Sequence, residues 1–154
     1  MNSVASLTRK RRVPSAEREV ALLIEQIADA IRSRDVDAAL RHYAPDVLAY
    51  DLLPPLQYKG AEALRQRLTA WLGSFTGAIA FEMRDLAIAA GNNVAFCHSL
   101  NSVTGTSQDG TMVDMWWRAT MGFRRIGGIW LVTHAHSSEP FDMQTGNALT
   151  RLRP

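Results

Sequence analysis

The sequence predicts an α+β domain in which three N-terminal helices pack on a strongly bent antiparallel sheet. Up to Leu72, apolar residues recur at spacings of three and four, as on one face of a helix. Beyond Gly77 the helical period gives way to four extended segments separated by glycine-containing turns. Because the helices come first and consecutive hairpins follow, we expect the helices to cover one face of the sheet.

Composition limits the classes of protein that the chain can represent. With 154 residues, 47% of them hydrophobic, it has the size of one domain with a sizeable core. The single cysteine, Cys97, excludes an internal disulfide framework and a cysteine-based zinc site, which favours a cytoplasmic location. No apolar run reaches membrane-spanning length, so no membrane partner is expected.

The net charge of +2 does not indicate a nucleic-acid partner, because the basic residues cluster at the N-terminus. Arg9, Lys10, Arg11 and Arg12 lie in residues 1–13, which we interpret as a disordered basic tail. The folded domain is predicted over residues 14–140, and residues 141–154 are predicted to be a C-terminal tail with little structure.

The helices are predicted from caps and periodicity. Ser15 is a candidate N-cap for a first amphipathic helix that ends near Arg34, and Asp35 is the cap of a short second helix that Pro45 ends. A short strand over residues 47–51 leads into a proline-containing apolar loop. A third helix is predicted over residues 61–72, with its leucines on one face. Away from that face we place Arg65, Gln66 and Arg67.

The four extended segments are predicted at residues 78–89, 94–104, 111–126 and 129–138. Asn92-Asn93, Asp109-Gly110 and Gly127-Gly128 supply hairpin turn signals between them, so the segments form an antiparallel meander. In the third segment alternate residues form one apolar row and one mixed row. The apolar row contains Val113, Met115, Trp117, Ala119, Met121 and Phe123, and the mixed row contains Met112, Asp114, Trp116, Arg118, Thr120 and Arg124.

The order of these elements and three short motifs resemble a known family. The motifs are Arg118-x-Thr120, Gly128-x-Trp130 and His134-x-His136-Ser137. Over about residues 15–142 the chain resembles the SnoaL-like, ketosteroid isomerase-like branch of the nuclear transport factor 2-like superfamily, and the motifs also resemble the association domain of calcium/calmodulin-dependent kinase II. The resemblance implies a cone-shaped α+β barrel, usually a homodimer, with an internal pocket. Because the superfamily contains isomerases, cyclases, dehydratases, epoxide hydrolases and assembly domains, it does not fix the activity.

Asp51 is the candidate general base. It resembles the aspartate that ketosteroid isomerases place after the first strand, and the following Leu52, Leu53 and two prolines provide the apolar surroundings that strengthen a carboxylate as a base. The alternative is a loop aspartate that accepts backbone amides. In ketosteroid isomerases a tyrosine and a protonated carboxyl group complete the site. The corresponding positions fall near Ile27 and near Thr120 or Met121, which supply neither group, so steroid isomerase activity is not expected.

Arg118 and His134 are the other catalytic candidates, as groups that stabilise a developing enolate or bind a carboxylate. Arg118 could instead pair with Asp114 or Glu82 on the sheet surface. Tyr50, Trp116, Thr120 and His136 are candidate ligand-binding residues, and Trp117 and Trp130 are assigned to packing.

The register of the last hairpin decides where the two histidines lie. With a two-residue loop at Gly127-Gly128, His134 and His136 join the apolar row, whereas a bulge moves them to the row of Arg118 and Thr120. The His134-x-His136 pair lacks a third ligand placed by any motif, so no metal is expected, and no cofactor motif is present.

Two hypotheses remain from the sequence. The first is a cofactor-free isomerase, cyclase or dehydratase that acts on a small apolar carbonyl compound with Asp51 as base. The second is a non-catalytic module that binds a small apolar or carboxylate-bearing molecule, or assembles as a homodimer.

Overall fold

The computed structural model of the protein describes residues 15–154, so the predicted basic tail lies outside the described residues. Three helices precede the long strands: α1 (Ala16–Arg32), α2 (Val36–Leu40) and α3 (Ala61–Gly73). Ser15 and Asp35 accept hydrogen bonds from the first-turn amides of Arg18 and Ala38, which confirms both predicted N-caps. Within the described residues, none of the helices has the length and apolar character needed to cross a membrane.

One six-stranded sheet forms the other layer. Its strands are β1 (Tyr43–Tyr50), β2 (Tyr58–Lys59), β3 (Phe75–Ala90), β4 (Val94–Ser107), β5 (Met112–Ile126) and β6 (Ile129–Ser138). The spatial order is β2-β1-β6-β5-β4-β3, so the predicted meander is confirmed from β3 to β6. The sheet has two free edges, β2 and β3, and does not close into a barrel.

The sheet is mixed rather than antiparallel throughout, because β1 runs parallel to β6 while the other neighbouring strands pair antiparallel. β1 also begins earlier than predicted, at Tyr43, and includes Pro45. The ladder between β1 and β6 is interrupted between Tyr43 and Leu48, which accommodates a proline that has no N–H to donate.

The helices cover one face of the sheet, which we call the inner face. The apolar side of α1, with Val20, Leu23, Ile24 and Ile27, packs against Phe123, Val132, Trp130, Ala95 and Cys97 of the sheet. Burial of these side chains is the main contribution that holds α1 on the sheet. The opposite face of the sheet, the outer face, has no helix on it within residues 15–154.

Arg34 fixes the position of α3 relative to the sheet. Its guanidinium donates to the carbonyl oxygens of Leu72 at 2.6 Å, Phe75 at 2.7 Å and Gly77 at 2.9 Å. These carbonyls lie where α3 ends and β3 begins, and helix C-terminal carbonyls need such donors. One side of α3 contacts β1.

The C-terminal residues 139–154 fold back onto the domain, where the sequence predicted little structure. Phe141 pairs with Ala148, and the Leu149 amide donates to the Pro140 carbonyl at 2.8 Å. Arg153 forms an ion pair with Asp114 on β5 at 2.9 Å. We call residues 139–154 the C-terminal strap.

Candidate functional site

The main cavity lies between α3, the inner face of the sheet and the C-terminal strap, and it has a volume of about 480 Å³. Its walls are mostly aliphatic and aromatic, and only a few of its side chains carry charge. It is lined by Tyr43, Ala49, Tyr50, Asp51, Leu52, Leu53, Leu64, Arg67, Leu68, Trp71, Met115, Trp117, Ala135, Ser137, Glu139, Ala148 and Thr150. An apolar cavity with a few polar groups of this kind is typical of a small-molecule site.

Asp51 lies in the wall of this cavity, directly after β1. Its Oδ2 is 2.5 Å from Nε of Arg67, in an ion-pair contact whose angle is not that of a hydrogen bond. Its Oδ1 accepts the Leu52 amide at 2.6 Å. The side chains of Asp51 and Arg67 are only 20% and 14% exposed, so the pair is shielded from bulk water and holds the carboxylate in one orientation.

Arg67 was predicted on the side of α3 that faces away from the leucines, and this prediction was wrong. Arg67 lies three residues after Leu64 and four residues before Trp71, both of which line the cavity. At 3.6 residues per turn these spacings place it on the flank of the apolar face. That spacing is the sequence signal by which Arg67 could have been found.

Glu139 is the second carboxyl group of the cavity, and sequence reasoning missed it. Its Oε1 is buried and has no hydrogen-bond partner. Burial raises the pKa of Glu139 above its usual 4.5, because the charged form loses its hydration. The signal in the sequence is the alternation of Ala135, Ser137 and Glu139, all three of which line the cavity.

A bulge in the last hairpin decides which side chains reach the cavity. Phe123 pairs with Val132 but Gly122 pairs with His134, so Thr133 is an extra residue in β6. The bulge alternative is therefore the correct one. The shift turns Ala135, Ser137 and Glu139 toward the inner face and places His134 and His136 on the outer face.

Several predicted site residues lie together on the outer face, away from Asp51. His136 pairs with Thr120, which pairs with His98, and Ser138 pairs with Arg118. Arg118 is exposed, and neither Asp114 nor Glu82 pairs with it, since their partners are Arg153 and Arg84. Trp116 lies under the Arg84 guanidinium, 4.8 Å from its ring centroid.

Tyr50 connects the two faces at the end of β1. It contributes to the cavity lining, while its ring contacts those of His134 and His136 edge-on, at centroid distances of 4.9 and 5.5 Å. His134 is fixed further by a 2.8 Å hydrogen bond between Nδ1 and the Leu48 carbonyl. Because a carbonyl only accepts, Nδ1 carries the proton in this contact.

A smaller cavity of about 130 Å³ continues inward between α1 and the sheet. It shares the walls formed by Tyr43, Trp71, Trp117, Ala135 and Ser137 with the main cavity, and Thr120 and His136 also contribute to its lining. Burial raises the pKa of Tyr43 to about 12. Trp117, assigned to packing from the sequence, is thus also a cavity wall.

The potential metal ligands and the single thiol of residues 15–154 were the other candidate groups. Within residues 15–154, no three His, Cys, Asp or Glu side chains are grouped as metal ligands. Cys97 is buried in the core, and burial raises the pKa of its thiol to about 11. The thiol is therefore protonated at neutral pH and is a poor nucleophile.

Comparison with known proteins places this architecture in a family. The SnoaL-like domain profile matches residues 20–142. An NTF2-like protein of unknown function from Pseudomonas putida KT2440 is 39% identical, with a TM-score of 0.82 over 90% of this chain and 96% of that chain. No curated protein matches the sequence significantly.

Two more distant structures share the fold. A proposed calcium/calmodulin-dependent protein kinase II association domain from Xanthomonas campestris is 20% identical, with a TM-score of 0.68 over 79% of this chain and 85% of that chain. A ketosteroid isomerase-like protein from Erwinia carotovora atroseptica SCRI1043 is 16% identical, with a TM-score of 0.70 over 82% of this chain and 97% of that chain. The chain belongs to the SnoaL-like domain family of the NTF2-like superfamily.

Proposed function

We propose that the protein is a cofactor-independent enzyme of the isomerase, cyclase or dehydratase kind, which binds a small, largely apolar carbonyl compound in the main cavity. The observation that carries the proposal is the placement of the Asp51 carboxylate in the wall of an apolar cavity of about 480 Å³. A carboxylate in such surroundings can accept a proton from a carbon next to a carbonyl group. The fold shared with a ketosteroid isomerase-like protein supports this reaction class by analogy.

The Asp51–Arg67 pair gives the two groups complementary tasks in this proposal. Asp51 removes the proton, and the electron pair of the broken C–H bond moves onto the carbonyl oxygen. Arg67 holds the carboxylate in position through Nε, and its remaining N–H groups are donors that can interact with negative charge in the cavity. Arg118 and His134, on the outer face, take no part in this step.

The test is hydrogen–deuterium exchange into 2-tetralone, a neutral bicyclic ketone with acidic protons next to its carbonyl. Proton NMR in D₂O measures the exchange rate with the wild-type protein, Asp51→Asn and Asp46→Asn, the last being an exposed strand carboxylate outside the cavity. We expect the wild type and Asp46→Asn to accelerate exchange by about 10²-fold or more over buffer. Asp51→Asn should bind the ketone but lose the acceleration, and equal rates for all three proteins would refute the proposal.

A role in homodimer assembly is the second candidate, and the outer face favours it. This face exposes Phe96 at 51%, and Tyr50 at 38%, together with the histidine cluster around Tyr50. Aromatic residues and histidines on an uncovered sheet face suit a self-complementary contact between two copies. Sedimentation velocity tests this role, since a mass of twice 17.1 kDa is expected for the dimer.

A further inference from the structure

Asn101 on β4 brings a free hydrogen-bond donor into the smaller cavity. It is only 7% exposed and lies in the cavity lining among apolar side chains. Its Oδ1 accepts from the Ser99 hydroxyl at 2.7 Å, which fixes the orientation of the amide group. None of the side-chain hydrogen bonds within residues 15–154 involves Nδ2, and Nδ2 is not one of the fully enclosed polar atoms. The N–H groups of Asn101 therefore remain available to an occupant of the smaller cavity.

The lining of the smaller cavity indicates what kind of group would occupy it. A buried donor left without an acceptor costs about 1–3 kcal/mol, so an occupant that supplies an acceptor is favoured. A volume of about 130 Å³ is close to that of an apolar cavity that admits a benzene-sized group. Most of the lining is aliphatic, aromatic or thioether, and comes from Ile24, Ile27, Ala28, Ile31, Trp71, Phe81, Met83, Trp117 and Met121.

A floor of small side chains connects the smaller cavity with the main cavity. Ser99 pairs with Ala119, and Ala119 pairs with Ser137, so the three side chains form one row across β4, β5 and β6 on the inner face. Ala119 and Ser137 line the smaller cavity, and Ser137 lines the main cavity as well. Trp71 and Trp117, packed edge-to-face with centroids 6.2 Å apart, form a wall that both cavities share. A single ligand can thus occupy both cavities.

The ends of this row set the length of such a ligand. The last residue of β1, Tyr50, pairs with His136 of β6. Asp51, the next residue, therefore continues the row on the far side of Ser137. Three strand spacings of about 4.8 Å separate Asp51 from Ser99, or about 14 Å between their backbones. The side chains at the two ends take up part of this span, which leaves room for a ring system between two polar groups.

We propose that the smaller cavity is a second binding subsite, in which Nδ2 of Asn101 donates a hydrogen bond to an acceptor oxygen at the inner end of an elongated, apolar ligand. This oxygen is distinct from the carbonyl group beside Asp51, and Asn101 takes no part in proton transfer. Among residues 15–154, the lining of the smaller cavity includes no Asp, Glu, Lys or Arg, so the inner group is neutral. The proposal rests on the proposed function only in placing a carbonyl compound in the main cavity.

Two probes of the same shape test the subsite. They are 6-acetyl-2-tetralone and 6-isopropenyl-2-tetralone, in which a CH₂ group replaces the acetyl oxygen. NMR titration measures their affinities for the wild type, Asn101→Leu and, as control, Asn92→Leu in the exposed turn between β3 and β4. Leu has nearly the shape of Asn but no donor. Circular dichroism checks that each variant is folded.

We expect the wild type and Asn92→Leu to favour the acetyl probe over the isopropenyl probe by about tenfold more than Asn101→Leu does. The proposal is overturned if the ratio of the two affinities is the same in all three proteins. A second measurement needs only the wild type: the side-chain NH₂ resonances of Asn101 should shift downfield with the acetyl probe and not with the isopropenyl probe. Equal shifts with both probes would contradict the hydrogen bond.

Filling the smaller cavity tests where the inner group of the ligand lies. Ala28 of α1 is 1% exposed and lines the smaller cavity but not the main one. Ala28→Leu should lower the affinity of both substituted probes by about tenfold relative to unsubstituted 2-tetralone. Unchanged relative affinities would refute the subsite. Equal deuterium-exchange rates in the wild type and Asp51→Asn would refute the base role of Asp51 and leave these affinity ratios unchanged, so the two failures are distinguishable.

Discussion

The ionisation of Glu139 couples the stability of the fold to pH. Burial raises its pKa above the usual 4.5 in the folded protein, so the folded state holds this proton at pH values where the unfolded chain has released it. The group therefore contributes its full stability below its unfolded pKa. That contribution is lost as the pH rises through the window between the unfolded and folded values.

Replacing Glu139 by Gln should remove this pH dependence. Gln has a similar shape and cannot ionise, so the free energy of unfolding of Glu139→Gln should match the wild type near pH 4 and exceed it increasingly above pH 5, by on the order of 1 kcal/mol or less for a partly solvated group. Urea denaturation at a series of pH values measures the difference. Parallel curves for the two proteins would show that Glu139 has the same pKa in both states.

At the scale of elements, one carboxylate connects α1 to the β5–β6 hairpin. Oε2 of Glu19 accepts from Nη2 of Arg125 at 2.5 Å and from Nε1 of Trp130 at 2.8 Å. The Arg125 guanidinium also lies over the Trp130 ring, 4.8 Å from its centroid. Because Glu19 and Arg125 are each 29% exposed, this contact is partly shielded from solvent and stronger than a surface ion pair.

Glu19→Gln should therefore destabilise the protein by about 1–2 kcal/mol, the range for hydrogen bonds to a charged group. The matched control is Glu17→Gln, which removes an exposed charge from the same first turn and so has the same effect on the helix dipole. Thermal denaturation of both variants at pH 7 measures the effect. Equal losses in the two proteins would assign the effect to the dipole rather than to the contact with β5 and β6.

The helices could be predicted from the sequence and the sheet register could not, for physical reasons. The period of α1 and the caps at Ser15 and Asp35 are local signals, and the structure confirms them. The bulge at Thr133 and the parallel pairing of β1 with β6 depend on contacts between distant segments. Gly127-Gly128 indicates a hairpin but leaves its register open by one residue.

That one-residue difference also determined which candidate site residues share a surface. Asp51 follows a strand end and an apolar loop, so its place beside the cavity could be predicted from local pattern. The faces of His134 and His136 depended on the register, which placed them on the outer face with Arg118 and Thr120. Glu139 could be recognised only after the bulge had fixed which alternate residues of β6 face inward.

At the scale of the whole molecule, the two faces of the sheet carry different kinds of surface. The inner face packs against α1 and α3 and encloses the cavities. The outer face exposes aromatic and imidazole groups on β1, β6 and β4, with Phe96 and His98 stacked at a centroid distance of 6.5 Å. The proposed dimer contact on the outer face shares Tyr50 with the lining of the main cavity, whereas Phe96, His134 and His136 lie outside that lining.

Introducing a charge at Phe96 on the outer face should separate assembly from ligand binding. Phe96→Glu buries a carboxylate in the proposed contact, where an unpaired charge is strongly unfavourable, so we expect the dissociation constant of the dimer to rise by about 10²-fold or more. Sedimentation velocity at several protein concentrations measures the shift. Leu22→Glu, at an exposed apolar position on α1 (62%, against 51% for Phe96), is the control that should remain dimeric. Circular dichroism checks that both variants stay folded, and NMR titration with 2-tetralone should give the same affinity in the Phe96→Glu monomer as in the wild type. A wild-type protein that sediments as a monomer at all concentrations would remove the assembly role and leave the cavity as the functional part of the molecule.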